Sequence, residues 1–398
     1  MNNKVGVEES VEVNSNTTPS RRLCDHSRKK KIMWIIFLII CIDVIITIPA
    51  IIITRKNRKM EKALTPERAT TTTVKITSTT TTTAIRTSIQ ILPSVIIDNN
   101  TKWKQNAVTV AGGNGQGSEL NQLNDPYGIY IDNDDESIYI ADAMNHRIVR
   151  WKFGANDGEI VAGGKGEGNA TDELKYPLDV ILDKEKEYLI ICDIGNQRVM
   201  RWSRQNSQDQ QIWISNIICR GFSMGNNGDI YISDMGNYQV RRFREGDTTG
   251  IVVAGGHGEG NQLNQLNGPH FIFVDEYYSV YVVDSHNSRV MKWMKNATKG
   301  IRIAPGQAAD MNPSSLNLPM GVIVDHMGNM YISNRDNHQI MRWSPGAIEG
   351  IPVVGEKQSG SAPTQLYNLQ DLSFDRHGNL YVVDKDNHRI QKFIIDRD

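Results

Sequence analysis

Short apolar and polar runs alternate along residues 101–398, and their order returns six times. In the first copy the apolar positions fall at 128–132, 138–142, 147–152 and 159–162, with Asp, Asn and Gly between them. Runs of four to six residues that are rich in Val, Ile and Tyr and bounded by turn residues predict the strands of an antiparallel meander. A repeat of this length, built from short strands, predicts a propeller or a solenoid.

A polar anchor ends the second predicted strand of every copy. The six anchors are Asp142, Asp193, Asp234, Asp284, Asn334 and Asp384, spaced 51, 41, 50, 50 and 50 residues apart. An Asn follows three residues after each anchor, and an Arg or a Gln follows two residues later. We expect the anchor to accept backbone N–H groups of the following turn, the Asn to adopt the αL conformation, and the Arg to pair with a carboxylate. A set present in every copy indicates a structural role.

The two ends of the repeat region complement each other. The last copy, at 371–395, has three predicted strands, and a fitting fourth strand lies at 107–110. That segment is followed by Ala-Gly-Gly. The fourth strands of the first and third copies end in the same way, with Val-Ala-Gly-Gly at 161–164 and 253–256. Pairing the N-terminal strand with the last copy would leave no exposed edge between first and last blades. The sequence therefore predicts an all-β fold, a six-bladed β-propeller closed by its N-terminal strand.

The motif D-x-x-N-[HQSY]-[RQ]-[IV], the P-x-G entry to the first strand and the VAGG connectors resemble the NHL-repeat family of β-propellers. The resemblance covers about residues 102–393 and all six copies. It implies the propeller fold strongly and the function weakly, because members of this family serve as protein- and RNA-binding platforms, as sensor domains and as enzymes.

The first hundred residues differ from the rest. They carry 15 Lys and Arg against 8 Asp and Glu, whereas residues 101–398 carry 29 against 37. Residues 1–31 are polar and predict a disordered cytoplasmic tail. Residues 32–53 hold a single charge, Asp43, and are long enough as a helix to cross a bilayer, which predicts an uncleaved signal-anchor. Residues 54–100 include twelve threonines within 65–87 and predict a disordered, O-glycosylated stalk.

The basic flanks of the predicted span are nearly equal, so charge barely decides its orientation. The Thr-rich stalk and three N-glycosylation sequons favour a cytoplasmic N-terminus and an extracellular propeller. The sequons begin at Asn99, Asn169 and Asn296. We therefore expect a single-pass type II protein of the plasma membrane. Asp43 at mid-membrane either makes a polar contact through which the span forms a homo-oligomer, or carries a free-energy cost of insertion that its apolar neighbours offset.

Chemistry is expected where the copies differ. The residues next to the start of each first strand are not repeated, and in a propeller they point toward the central channel. The polar, non-repeated members of this set are Tyr127, Asp179, Arg220, His270 and Asp371. We take these five as candidate ligand-binding residues at the channel mouth, and a water-filled mouth without a ligand is the simpler alternative.

Some NHL propellers resemble amidating lyases, which bind zinc with three histidines, and other six-bladed enzymes hold a central calcium ion. Here His270 is the one histidine among the channel positions, and zinc needs three or four ligands. Asp179 and Asp371 fall short of the six to eight oxygens that calcium takes. The sequence therefore predicts no metal ligand set, no catalytic residue and no cofactor, although a central calcium or zinc ion stays open as an alternative.

Cys192 and Cys219 fall in the second and third copies, where they form either a disulfide between two blades or two separate buried thiols. RNA binding needs a basic face with stacking aromatic residues, and the acidic balance of the propeller argues against a nucleic-acid partner. The expected function is a cell-surface module that binds a protein or a glycan without catalysis. The alternative is a propeller enzyme of the amidating-lyase or calcium-dependent hydrolase kind that uses the central channel.

Overall fold

Antiparallel strands make up the regular structure that the repeats predict. The computed structural model describes residues 97–206, 208–305 and 316–397. None of the helices in these ranges is long and apolar enough to cross a bilayer. The predicted tail, the predicted span with Asp43, and the predicted stalk up to residue 96 lie outside the described residues.

Twenty-four of the strands form six four-stranded sheets, each a blade. Blade 1 consists of β3 (Pro126–Asp132), β4 (Ser137–Asp142), β5 (Arg147–Lys152) and β6 (Glu159–Gly163); blade 2 of β7 (Pro177–Leu182), β8 (Tyr188–Asp193), β9 (Arg198–Ser203) and β10 (Gln210–Ser215); blade 3 of β11 (Cys219–Met224), β12 (Ile230–Asp234), β13 (Gln239–Phe243) and β14 (Ile251–Gly255). Blade 4 consists of β15 (Pro269–Val274), β16 (Val280–Asp284), β17 (Arg289–Trp293) and β18 (Ile301–Ala304); blade 5 of β19 (Pro319–Val324), β20 (Met330–Asn334), β21 (Gln339–Trp343) and β22 (Ile351–Val354); blade 6 of β23 (Leu369–Phe374), β24 (Leu380–Asp384), β25 (Arg389–Phe393) and β2 (Val108–Gly112).

The N-terminal strand closes the ring. β2 pairs with β25 in antiparallel register, with Val108 opposite Lys392 and Gly112 opposite Arg389. The inner strands contact one another in the order β3, β7, β11, β15, β19, β23 and back to β3. The six-bladed propeller with an N-terminal closing strand is therefore confirmed, and blades 1 and 4 are opposite each other across the channel.

A second, unpredicted pairing holds the same junction. β1 (Lys102–Trp103) pairs with β26 (Ile395–Asp396), directly after the last blade. The indole of Trp103 is buried, stacks on Phe374 and donates a 2.9 Å hydrogen bond to the carbonyl of Gly378. Both chain ends of the propeller are thus fixed to blade 6.

The two ends of each blade carry different connections between strands. Pro126 pairs with Asp142, and Arg147 pairs with Gly163. The start of the first strand, the turn between the second and third strands, and the connector to the next blade therefore lie on one face, which we call the connector face. The opposite face carries the hairpins within each blade, and we call it the hairpin face.

Large side chains fill the spaces between blades. Trp151 of blade 1 lies in one buried cluster with Tyr381 and Val383 of blade 6, and Trp343 of blade 5 lies in a cluster with Tyr281 of blade 4. Burial of such rings supplies most of the apolar area at each junction. The aromatic residue that closes each third strand is buried in all six blades: Trp151, Trp202, Phe243, Trp293, Trp343 and Phe393.

The repeated anchors hold the connectors rather than the following turn. Asp142 Oδ1 accepts the backbone N–H of Asn124 at 2.7 Å, 18 residues earlier in the connector. Its other oxygen accepts bonds from the Asn145 amide and, at 2.7 Å, from Arg147 Nε. The αL residue is His146, with φ of 52°, not Asn145. The prediction of an Asp–Arg pair agrees with this geometry, whereas the expected backbone donor and the expected αL position were wrong.

The guanidinium of Arg147 also donates to three connector carbonyls, those of Ser118, Glu119 and Gln122. Arg198, Arg289 and Arg389 make the equivalent three bonds in blades 2, 4 and 6. We call this Asp–Arg pair with its carbonyls the connector clamp. Because its partners are backbone groups of a long connector, the clamp requires that connector to be present.

Blade 3 has no such connector. Only residues 216–218 separate β10 from β11, and Gln239 replaces the clamp arginine. The equivalent oxygen accepts a connector N–H in the other blades, but Oδ1 of Asp234 has no hydrogen-bond partner among the described residues. At this junction Cys192 of blade 2 and Cys219 of blade 3 form a disulfide with a Cα–Cα distance of 5.8 Å. The two blades whose connector is too short for the clamp are thus joined covalently.

Candidate functional site

The channel mouth on the connector face is formed by the residue that follows the first position of each inner strand. These six residues are Tyr127, Leu178, Arg220, His270, Met320 and Gln370. A register shift in each inner strand, such as that between Pro126 and Ile129, falls at this point. Such a bulge re-aims side chains at the end of a strand. The mouth is therefore built from the positions at which the six copies differ most.

Three of the five predicted residues meet there. The Tyr127 hydroxyl lies 3.3 Å from His270 Nδ1, although these residues belong to the opposite blades 1 and 4. An NH group of Arg220, in blade 3, donates to the same hydroxyl at 3.3 Å. Tyr127 and His270 retain only 8% and 6% of their exposure. The pair thus spans the channel, and the mouth is occupied by protein side chains rather than being open.

Both members of this bridge are uncharged near neutral pH. Burial first, and then the positive charge of Arg220, lower the pKa of His270 to about 3. Burial raises the pKa of Tyr127 above its ordinary value. Since Arg220 donates to the phenol oxygen, we infer that the phenol proton is donated to Nδ1 and that the imidazole proton lies on Nε2.

Asp179 and Asp371, the other two predicted residues, do not join the bridge. Each sits one position further along its inner strand and accepts two backbone N–H groups. Asp179 accepts those of Val180 and, at 2.7 Å, Phe222 in the next blade. Asp371 accepts those of Leu372 and, at 3.0 Å, Ile129 in the next blade. Both carboxylates thus connect neighbouring inner strands, which share no ladder of their own.

Burial raises the pKa of both carboxyl groups. The pKa of Asp371 rises to about 7. The pKa of Asp179 rises well above the ordinary carboxyl value, through burial first and then through the negative charge of Asp371. Both carboxyl groups therefore hold a proton more tightly than an ordinary carboxyl group does.

Small residues alternate with large ones at this level of the channel. Gly128 in blade 1 precedes Asp179 in blade 2, and Gly221 in blade 3 precedes Phe271 in blade 4. A Cβ atom on Gly128 would lie 2.4 Å from Asp179 Oδ1, and one on Gly221 would lie 2.8 Å from the Phe271 Cα. Glycine is therefore required where a neighbouring inner strand approaches closely.

A second ring of mouth residues was not predicted. It comes from the position directly after each anchor, and it includes Met235 and Arg335. Arg220 Nε lies 3.2 Å from the Met235 sulfur. The positive charges of Arg220 and Arg335 oppose the rise in the pKa of Tyr127, and the Arg220 guanidinium contacts the Tyr127 hydroxyl directly. The signal in the sequence was the variable second position of the D-x-x-N motif.

The two arginines leave positive charge at the mouth. In the described part of the chain Arg220 has no carboxylate within ion-pair distance, and Arg335 lies 3.9 Å from the carboxylate of its neighbour Asp336. Arg220 is half-buried and a third of the Arg335 side chain is exposed. A guanidinium in such a position is suited to bind a carboxylate or another planar anion.

Among the described residues no group of three or more His, Cys, Asp or Glu side chains is placed to hold a metal ion. Zinc requires three or four protein ligands or waters in a tetrahedral set, and calcium requires six to eight oxygens. The channel residues described here therefore do not fit the zinc or calcium site that the resemblance to propeller enzymes implies.

The three sequon asparagines are exposed, but they lie in different places. Asn169 lies in the connector before blade 2 and uses its carbonyl in the connector clamp of Arg198. Asn296 lies in the last hairpin of blade 4, on the hairpin face. Asn99 precedes β1. Whether they carry glycans stays a prediction.

Comparison with known proteins supports the fold. The NHL-repeat family model matches residues 366–393, in the last copy. No curated protein has a matching sequence. An auxiliary nutrient binding protein from Bacteroides thetaiotaomicron is 14% identical, with 77% of this chain and 75% of that chain covered at a TM-score of 0.55.

Two enzymes have a similar fold. A streptogramin B lyase is 12% identical, with 73% of this chain and 97% of that chain covered at a TM-score of 0.50. A gluconolactonase from Xanthomonas campestris is also 12% identical, with 70% of this chain and 88% of that chain covered at a TM-score of 0.50. Since binding proteins and enzymes share the architecture at these low identities, the similarity describes the fold alone.

Proposed function

We propose that this chain, a six-bladed NHL-repeat propeller, is a binding module displayed at the cell surface. Its ligand is a protein or a glycan that docks on the connector face over the channel mouth. An anionic group of the ligand, of which a carboxylate is the simplest, binds between Arg220 and Arg335. No catalytic step and no nucleic-acid partner belong to this proposal.

One observation carries it. The hydroxyl of Tyr127 is bonded to His270 in the opposite blade and to Arg220. These contacts fill the channel mouth, and the uncharged phenol and imidazole there are hydrogen-bonded to each other. What stays accessible above them is the positive charge of two arginines. Arg220 has no carboxylate within ion-pair distance among the described residues and Arg335 has only the distant Asp336, which favours an anion. A mouth closed by side chains favours docking on the surface over chemistry inside.

The placement outside the cell is supported by several features. The disulfide between Cys192 and Cys219 is typical of proteins that fold in oxidising compartments. The apolar segment at 32–53, the Thr-rich segment and the exposed sequons favour a type II plasma-membrane protein with an extracellular propeller. Protease treatment of intact cells that express the full chain tests this. We expect loss of the propeller with retention of the N-terminal tail, and the opposite pattern would contradict the orientation.

Ligand binding is tested by titrating the purified full chain with two pairs of probes. One pair is a peptide with a free C-terminal carboxylate and the same peptide amidated; the other is a sialylated oligosaccharide and its asialo form. We expect at least one carboxylate probe to bind about ten times more tightly than its uncharged counterpart, since hydrogen bonds to charged groups contribute about 1.5–3 kcal/mol. The pair that shows the difference tells whether the source is a protein or a glycan. Equal affinities within both pairs would contradict the proposal.

A propeller enzyme is the second candidate, and the buried carboxyl groups of Asp179 and Asp371 favour it. A buried acid with a pKa of about 7 has the property of a general acid or base. Elemental analysis of the purified full chain separates the two candidates. Stoichiometric zinc or calcium that is lost in an Asp179→Asn or Asp371→Asn variant would favour the enzyme, whereas a metal content unchanged by these variants would favour the binding module.

A further inference from the structure

We propose that N-linked glycans on Asn296 and Asn99 pack against exposed apolar residues in two grooves at the rim of the propeller and stabilise it. This inference depends on the extracellular placement proposed above, because the modification occurs in the secretory pathway, but it does not depend on the ligand of the channel mouth. It assigns a structural role to two of the three sequons.

The rim is unusually apolar for a solvated edge. In every blade except blade 2 the fourth strand begins with an exposed residue, and several of these residues are β-branched. Ile251 and Val252 in blade 3 keep 52% and 51% of their exposure, and Ile351 in blade 5 keeps 51%. Contiguous apolar surface on a soluble domain indicates a site that something covers. An exposed strand edge of this composition would also favour association with other chains.

The first groove lies between blades 3 and 4 and has a volume of about 360 Å³. Ile251, Val252 and Met294 line it with side chains that are about half exposed. On the blade 4 side the wall is the hairpin that contains Asn296 and Thr298. The sequon is therefore part of the groove itself, so a sugar attached to Asn296 begins its course at the apolar surface.

The backbone at Asn296 favours display of its side chain. Asn296 has φ of 64°, which Asn tolerates better than most residues in a turn, and it is exposed. Thr298, the third residue of the sequon, is exposed as well. Neighbouring Lys295 places its ammonium group 4.5 Å from the centre of the Tyr278 ring, which borders the same groove.

A second groove repeats the arrangement. It lies between the segment before β2 and the outer strand of blade 5, and it has a volume of about 700 Å³. Asn99 lines it together with the apolar residues Ile351, Pro352 and Val353, and the rest of its lining is mostly polar. The segment is held against the blade by bonds from Gln105 to the Val353 carbonyl and from Arg342 to the Thr101 carbonyl. The attachment point and the apolar strand are thus fixed relative to each other.

Asn169 provides the internal contrast. Its connector exposes polar side chains, including Lys165, Glu167 and Asp172, which pair with one another and with Lys175. A glycan on Asn169 would extend from a polar surface. We therefore expect removal of this sequon to abolish the glycan on Asn169 without changing the stability of the propeller.

The modification itself is a balanced transfer. The amide nitrogen Nδ2 of Asn296 attacks the anomeric carbon of an oligosaccharide that is carried on a lipid pyrophosphate. A carbon–nitrogen bond forms, the bond from the anomeric carbon to the pyrophosphate oxygen breaks, and the lipid pyrophosphate leaves as Nδ2 loses one proton. The apolar C–H faces of the first sugar rings can then cover Val252 and Met294, and covering apolar area stabilises the folded state.

The test uses the full chain made in eukaryotic secretory cells, with glycopeptide mass spectrometry for occupancy and tryptophan fluorescence for thermal unfolding. Thr298→Ala removes the sequon and leaves Asn296 in place, whereas Thr298→Ser keeps the sequon. Asn99→Gln tests the second groove. Thr171→Ala and Thr171→Ser form the matched pair at Asn169. This design avoids replacing Asn296, where other residues would strain the backbone.

We expect glycan at all three asparagines in the wild type and a melting temperature about 2–4 °C lower for Thr298→Ala than for Thr298→Ser. Asn99→Gln should lower the melting temperature by a similar amount, and Thr171→Ala and Thr171→Ser should melt at the same temperature. If Asn169 carries a glycan but Thr298→Ala and Thr298→Ser melt at the same temperature, the groove inference is wrong and the cell-surface placement stands. If all three sequons lack glycan, both fail.

Discussion

Tyr127 and His270 lie in opposite blades of the ring, 143 residues apart in the chain, and a 3.3 Å hydrogen bond between the phenol and Nδ1 joins them across the channel. Arg220 donates to the same phenol oxygen. One hydroxyl group therefore connects blades 1, 3 and 4 at the mouth. Because these side chains are nearly buried, their contacts contribute to the stability of the ring as well as to the shape of the connector face.

Replacing Tyr127 with Phe removes this hydroxyl and keeps the ring that packs near Phe271. His270 Nδ1 would then be buried without a partner, which costs about 1–3 kcal/mol of unfolding free energy. Urea unfolding followed by fluorescence measures the loss. Tyr277→Phe is the matched control, because Tyr277 is 70% exposed and should show no effect. A Tyr127→Phe variant as stable as this control would show that the bridge contributes nothing.

The connector clamp predicts an asymmetry between blades. Arg147→Gln leaves the buried carboxylate of Asp142 without its ion pair and frees three connector carbonyls, so we expect a loss of about 3–5 kcal/mol in equilibrium unfolding. Gln239→Arg makes the reverse change in blade 3, where the connector has three residues and offers no equivalent carbonyls. It should therefore give no gain. A stabilising Gln239→Arg, or a neutral Arg147→Gln, would contradict this account of the clamp.

The sequence predicted the blades because the same residue types recur in every copy. It predicted closure because the last copy lacks a fourth strand and the N-terminal segment supplies one. It placed Tyr127, Arg220 and His270 at the mouth for the opposite reason, because these positions differ between the copies. Their hydrogen bonds were not predictable, since side-chain reach across a channel depends on its width. Asp179 and Asp371 looked like free ligands because their partners are backbone N–H groups.

Backbone partners explain most of the other failures. Every residue has a carbonyl, so no residue type in the connector signals the three acceptors of Arg147. The pairing of β1 with β26 involves two residues on each strand and has no apolar period. The choice between a disulfide and two thiols at Cys192 and Cys219 depended on the distance between two blades, which spacing along the chain does not give.

Removal of the disulfide should destabilise the junction between blades 2 and 3. Its cysteines are 27 residues apart, and a loop of that size restricts the unfolded chain by roughly 3 kcal/mol. We expect Cys192→Ala with Cys219→Ala to lose about this amount in urea unfolding. Reduction of the wild type should give a similar loss and should leave the double variant unchanged. If reduction affects both proteins equally, its effect does not come from this bond.

The channel carboxyl groups predict a specific pH dependence. Burial raises the pKa of Asp371 to about 7, so its contribution to stability is fully present below the unfolded value of 3.8 and is lost as pH rises through about 7. The lowered pKa of His270 acts oppositely below 6.5. We therefore expect the unfolding free energy of the wild type, relative to that of Asp371→Asn, to rise as pH falls from 8 to 5. The slope is at most about 1.4 kcal/mol per pH unit. Parallel pH profiles would contradict the raised pKa.

The central claim is that a ligand docks over the channel mouth through two arginines. The most direct measurement is the affinity of the tightest carboxylate probe for the full chain and for two charge-matched double variants. Arg220→Gln with Arg335→Gln removes two positive charges from the connector face, and Lys184→Gln with Arg244→Gln removes two from exposed hairpins on the opposite face. We predict at least a tenfold loss of affinity for the first variant and none for the second. Equal affinity in the wild type and the Arg220/Arg335 variant would contradict the claim.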